Sequence, residues 1–139
     1  MKLNFGFIEE WKNLEQVQKS INGGCSIVFY AENKSSMNHF KSLLLELTEV
    51  RDLQVCYVTS IKNDSVFSLK NKNISAYYVG DGIVRTKFFL TLKAKILIMD
   101  MPDLETFHIK RSKVYPVHYV YIFHSMFSVH SYLRKGAID

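Results

Sequence analysis

His108, His118, His124 and His130 crowd the final third of the chain, and imidazole is both a common metal ligand and the side chain whose proton moves near neutrality. Their spacings miss the i, i+4 helical pair of H-E-x-x-H and no carboxylate falls in register, so no metal site is expected. His118, at the start of an apolar run beside Pro116, reads as a partly buried, hydrogen-bonded residue, and His39 and His108 read as surface or rim. His124 differs because it follows Tyr119–Phe123 and precedes Ser125, which suits the first residue of a helix. A histidine there would stand over the carboxyl edge of a sheet, where a neutral imidazole accepts a proton from a hydroxyl and a helix N-terminus hosts a phosphate. By position alone a structural role for His124 still outweighs a catalytic one.

Other familiar chemistries fail on residue type. The sequence has no G-x-x-x-x-G-K-[ST], which excludes a P-loop nucleotide hydrolase, and no G-x-S-x-G elbow. Gly80-Asp81-Gly82 opens like a dinucleotide fingerprint, but Arg85 occupies the place of the third glycine. Ala31-Glu32-Asn33-Lys34-Ser35-Ser36 is not the Gly- and hydroxyl-rich loop of a flavin mononucleotide site, and Glu32 lacks the companion acids a phospho-receiver needs for Mg²⁺. Cys25 and Cys56, flanked by β-branched and aromatic residues, read as inert core thiols. Eighteen Lys and Arg against thirteen Asp and Glu leave a formal +5, which favours anionic partners, while the dispersal of the basic residues argues against nucleic acid.

These residues need a scaffold, and the period of the hydrophobic pattern supplies one. Phe7, Ile8, Trp11, Leu14, Val17 and Ile21 recur at helical steps, so a helix runs to about Ser20 and stops at Asn22-Gly23-Gly24. Short apolar runs at Cys25–Tyr30, Leu53–Thr59, Ile74–Val79, Lys95–Met101 and His118–Phe123 read as buried strands. Between them, Ser35 or Ser36 caps a helix carrying Met37, Phe40, Leu43, Leu44 and Leu47, and Ile83–Leu92 reads as another. The polar stretch after Thr59 and Asp103–Phe107 each have room for a helical turn, Lys110–Lys113 is loop, and Ser125 starts a last helix running toward Lys135. Such alternation demands crossover connections and a mostly parallel sheet covered on both faces, so the class is α/β, a Rossmann-like three-layer domain. With 139 residues, 47% of them apolar, and no linker or repeat, the chain is expected to form one domain over 1–139. Ligands of such sheets bind beyond the carboxyl ends of the strands, which selects Glu32–Ser36, Thr59–Asn63, Gly80–Gly82, Asp100–Asp103 and His124–Ser128.

Tyr119-Val120-Tyr121-Ile122-Phe123-His124-Ser125, followed by Ser128, His130, Tyr132 and Lys135-Gly136-Ala137-Ile138-Asp139, resembles the CDP-glycerol glycerophosphotransferase-like family, which builds or modifies teichoic-acid-type polymers. Lys95–Leu104 and Phe107–Ser112 are similar to the segment that precedes this histidine in the family, whereas the first half of the chain shares only its β-α rhythm. The resemblance implies the amino-terminal, acceptor-side half of a GT-B architecture, and a carboxy-terminal donor domain as its companion. It also implies that His124 is the general base, in a motif that reads Phe123-His124-Ser125-Met126 where the family usually has W-H-G-T. Around it, Ser125, Ser128, His130, Gly80, Gly82 and Arg111 are the candidates for holding substrate phosphate. The implied reaction is attack of an acceptor hydroxyl on the β-phosphorus of CDP-glycerol, or on a nucleotide-sugar, with loss of the nucleotide; the chain itself needs no cofactor and would be inactive without its companion. The acceptor would be an anionic cell-wall or capsule polymer.

Two rival readings follow from the same residues. One is a sugar-nucleotide transferase or epimerase-like enzyme of the same fold. The other is a flavodoxin-like interaction module that uses the Phe5-Phe7-Trp11 helix and basic loops to dock on a membrane surface or a partner, against the plainer expectation that this helix packs on the sheet. No apolar run approaches the ~18 residues of a membrane span, and Met1–Gly6 lacks the layout of a secretory signal, so the expected location is the cytoplasm, at the inner face of the membrane if it is peripheral.

Overall fold

In the computed structural model, residues 5–101, 104–105 and 109–122 are described. Pro102 and Asp103, most of the expected turn up to Phe107, His108, Phe123, and the last helix expected from Ser125 lie outside them, as do His124, Ser128 and His130.

Short β-branched and aromatic runs without an intervening polar face can only be satisfied by cover on both sides, and the structure provides it. The strands are β1 (Ile27–Ala31), β2 (Val55–Thr59), β3 (Ile74–Tyr78), β4 (Ile96–Met99) and β5 (His118–Tyr121). They form one all-parallel sheet in the order β3-β2-β1-β4-β5. Alternate residues serve opposite layers. Val28 and Tyr30 pack with Leu14 and Val17 of α1 (Phe5–Asn22) and with Phe88 and Phe89 of α3 (Ile83–Thr91). Phe29 and Ala31 pack with Met37, Phe40 and Leu44 of α2 (Ser36–Leu45). The result is the three-layer α/β arrangement that the hydrophobic pattern demands.

Burial follows position in the sheet. Interior β2 is buried throughout, whereas β3 at the edge is mostly half-buried. The α1 helix closes at Gly23-Gly24, where Gly24 takes φ +114°, a conformation that favours glycine, and Cys25 N–H donates to the Ser20 carbonyl at 3.1 Å. Trp11 packs on the core with the Lys87 ammonium 5.0 Å from its ring, while Phe5 is 88% exposed, so α1 covers the sheet along most of its length and leaves its first residue in solvent. The end of α2 widens into a π turn, Glu46–Val50, and Thr48 within it donates its hydroxyl to the Leu44 carbonyl at 2.7 Å. A 3₁₀ turn, Ser65–Ser68, fills the polar stretch after β2, capped by Asp64, which accepts from Val66 N–H at 3.0 Å.

Strand ends differ from expectation in ways the backbone explains. Cys25 and Ser26 precede β1, and the Ser26 carbonyl accepts from Lys95 and Ile96 N–H. Leu53 and Gln54 stay outside β2, following Asp52 in the left-handed region at φ 52°. His118 is exposed rather than partly buried; its backbone N–H donates to the Lys95 carbonyl at 2.8 Å.

Candidate functional site

The strand order makes β1 the pivot of the sheet. From β1 the chain moves outward to β2 and β3, then returns through α3 to β4 on the other side of β1. The connections after β1 and β4 therefore diverge to opposite sides of the sheet and leave a crevice at their carboxyl ends, the place where open α/β sheets bind ligands.

Residues from both sides of that crevice converge. After β1, the Asn33 side chain turns the loop by accepting from the backbone N–H and hydroxyl of Ser35, at 3.0 and 2.5 Å. Ser35 is the residue that opens α2, yet its side chain caps nothing in the helix, because it is committed to Asn33. Ser36 and His39 are three apart in the first turn of α2 and so share a face. That face meets Asp100, the residue after β4. The Ser36 hydroxyl donates to Asp100 Oδ1 at 3.2 Å, and His39 Nδ1 lies 2.7 Å from Asp100 Oδ2. Asp100 is 3% exposed and Ser36 fully buried, while the His39 side chain is 24% exposed. The arrangement is a buried carboxylate with both oxygens engaged, holding an imidazole at the mouth of the crevice.

Asp100 and Asp64 also act on Tyr57, whose phenol is pushed upward, first by burial and then by these two carboxylates. Asp64 belongs to the scaffold: Thr59 donates its hydroxyl to it at 2.7 Å while it caps the 3₁₀ turn. On the opposite face of the sheet a polar chain links three strand ends. Tyr30 and Ser60 share a hydrogen bond at 2.6 Å, Ser60 donates to the Gly80 carbonyl at 2.6 Å, and Arg85 Nη1 approaches the Tyr30 hydroxyl at 3.5 Å and Glu32 at 3.9 Å. Burial raises the Tyr30 phenol, and the buried Arg85 Nε has no hydrogen-bond partner among the described residues.

Gly80 and Gly82 stand where α3 begins. Gly80 has φ +73°, a conformation that favours glycine, and a side chain there would displace the Glu10 carboxyl group. Burial, Asp81 and Glu9 raise the Glu10 carboxyl, which marks this loop as locally acidic. Arg111 is placed elsewhere. It pairs with Glu105 at 3.9 Å and lies 5.4 Å from the Tyr119 ring, and the following Ser112 and Lys113 bond to the Leu92 and Leu90 carbonyls at the far end of α3. The candidates Gly80 and Gly82 thus share the carboxyl edge with Asp100, while Arg111 does not join them.

His39 is a rim residue, 24% exposed, as its sequence suggests, and what the sequence does not disclose is its bond to a buried carboxylate 61 positions away. The available signal was Ser36-x-x-His39 at the start of the helix after β1, but its meaning depends on β4 lying beside β1. Among the described residues no group of three His, Cys, Asp or Glu could hold a metal ion, and no helix is long and apolar enough to cross a membrane. A half-open pocket of about 330 Å³, lined by Leu14, Val17, Phe88 and Leu92 with Lys93 among its residues, lies between α1 and α3, away from the crevice. No family model, curated protein or solved structure matches the chain.

Proposed function

We propose that this chain is the acceptor-side Rossmann-like domain of a GT-B transferase, one that moves a glycerol-phosphate or sugar unit from a CDP- or other nucleotide-activated donor to an anionic surface polymer. The resemblance of Lys95–Ser112 and Tyr119–Asp139 to the glycerophosphotransferase-like family supports this reading. The observation that carries it is the pairing of β5 with β4 in parallel. Through that pairing the chain leaves β5 at the same edge as Asp100, three residues before His124.

In this reading the acceptor hydroxyl loses its proton to His124 as its oxygen attacks the β-phosphorus of the donor. The bond from that phosphorus to the bridging oxygen breaks, and the nucleoside monophosphate leaves with the oxygen. A base so placed contributes roughly 10²- to 10⁴-fold, and charge on the leaving phosphate is met by donors of a companion domain. The excess of cations favours a polyanionic acceptor.

The test is nucleotide release by the full-length protein across a panel of CDP-glycerol, CDP-ribitol and sugar nucleotides. CDP-dependent release that falls about 10²-fold or more in His124→Ala, with the thermal unfolding profile unchanged, is the expected result. Release from a sugar nucleotide alone would move the assignment to the related sugar transferases, and undiminished release by the variant would remove His124 from the mechanism.

A further inference from the structure

The Gly80 carbonyl only accepts, so the Ser60 hydroxyl, 2.6 Å away, donates to it and has no second proton to give. The Tyr30 hydroxyl must then donate to Ser60 Oγ, at 2.6 Å, and it turns a lone pair toward Arg85 Nη1 at 3.5 Å. That is the nearest acceptor the guanidinium has among the described residues. Glu32 lies 3.9 Å from the same nitrogen, beyond hydrogen-bond reach, and its side chain is 40% exposed, so the pair is screened. Arg85 Nε has no partner among the described residues. A donor-rich cation only 8% exposed is thus left with two long contacts, both on one nitrogen. Buried guanidinium groups are ordinarily held by several short bonds, because the hydration they lose must be replaced.

Arg85 stands in the first turn of α3, and helical side chains lean toward the N-terminus, which sets the guanidinium toward the carboxyl edge of the sheet. The N–H groups of Ile83, Val84 and Arg85 have no intrahelical acceptor, and Gly82 before them supplies no side-chain cap. Nor is the place filled: a β-carbon on Gly82 would meet nothing within 4 Å. The acids of the Gly80 loop lie to one side. After burial, Asp81 and Glu9 act on Glu10 and Tyr78, whereas the charged groups that act on the Tyr30 phenol, after burial and its bond to Ser60, are Arg85 and Glu32. We propose that Arg85 and the first turn of α3 bind a phosphate group at this edge, that of the polyol-phosphate acceptor. Phosphate oxygens supply the short, paired acceptors that a planar guanidinium matches and that Glu32 does not provide. This rests on the transferase reading for the identity of the acceptor, and it gives Arg85 the part that Arg111, at the far end of α3, does not take.

The experiment uses the 139-residue chain, with inorganic phosphate and sn-glycerol 3-phosphate as probes. Spectra of ¹⁵N–¹H pairs follow the amides of residues 82–85 and the Arg85 Nε–H during each titration. The expected result is that both probes shift these signals, that Arg85→Lys binds them about tenfold more weakly because a point charge replaces the planar fork, and that Arg85→Met does not bind them. Stability separates a ligand site from a structural ion pair. A buried cation that serves a ligand is dispensable to the fold, so Arg85→Met should keep or raise the urea midpoint. A lower midpoint in Arg85→Met, absence of binding by either probe, shifts confined to other residues, or equal affinity in Arg85→Lys each overturns the proposal. Nucleotide release by the full-length protein separates the two claims. Phosphate shifts at Arg85 without release from any donor defeat the transferase reading and leave the phosphate site standing. Release with an acceptor KM unaffected by Arg85→Lys defeats the phosphate site alone.

Discussion

The Tyr57 hydroxyl is buried at the centre of the α2 side of the sheet and finds no hydrogen-bond partner among the described residues. Its ring is well used, stacked on Phe29 at 6.3 Å between centroids and edge-on to Phe40 at 6.1 Å. A buried unpaired hydroxyl costs about 1–3 kcal/mol, whereas its loss leaves those ring contacts in place. Tyr57→Phe is therefore expected to leave stability unchanged or raise it by up to about 1 kcal/mol, as a higher urea midpoint at constant slope. A drop of more than about 1 kcal/mol would reveal a partner for the hydroxyl. The composition of β2 predicts a buried aromatic at this position, but nothing in it predicts an unsatisfied one, because Asp64 and Asp100 approach it from other elements. Cys25 and Cys56 were legible at this scale, since small thiols among β-branched residues pack as apolar groups, and both are buried and free.

Elements are joined by a few polar ties, and one of them holds the end of α2 to the start of β3. Asn73 donates from one side-chain nitrogen to the Thr48 carbonyl and to Asp52 Oδ1, both at 2.8 Å, and Asn71 donates to the Thr48 hydroxyl at 2.9 Å. The π turn needs this help because widening the helix releases carbonyls from their usual partners. Asn73→Ala strips both acceptors at a site only 8% exposed and should cost about 2 kcal/mol, read as a lower urea midpoint. Asn73→Ser, shorter but still a donor, is expected to recover part of that loss, and equal stability of the wild type and Ala forms would contradict the tie. Sequence periodicity located α2 from Met37, Phe40 and Leu44, whose spacing is helical. It did not foresee the π turn, because Leu47 continues the apolar pattern and the turn is set by Thr48, Asn71 and Asn73 acting across 25 residues of chain. The serine cap was foreseen, but Ser35 spends its hydroxyl on Asn33 and Ser36 spends its own on Asp100.

At the scale of the whole molecule, the class of fold was legible because a strand covered on both faces leaves no polar alternation, and five such runs meet only in a parallel sheet. The order of strands was not, since nothing local says that the return through α3 brings β4 beside β1, and the crevice with Asp100, Ser36 and His39 exists only through that order. The same layered burial has a consequence for pH. The Tyr30 and Tyr57 phenols are raised chiefly by burial. A group raised in the fold loses its proton first in the unfolded chain, so above the unfolded pKa the native state binds more protons and stability falls as pH climbs. Unfolded tyrosine titrates near ~10, which sets the window. These two groups should contribute no slope below about pH 9 and a falling one above it. Urea midpoints measured across that range, with tyrosinate absorbance followed at each pH, test this. The absorbance of the two buried phenols should appear only with unfolding, and Tyr57→Phe should make the alkaline limb shallower. Ionisation of either phenol before the chain unfolds would mean that the core between α1, α3 and the sheet, or between α2 and the sheet, admits solvent.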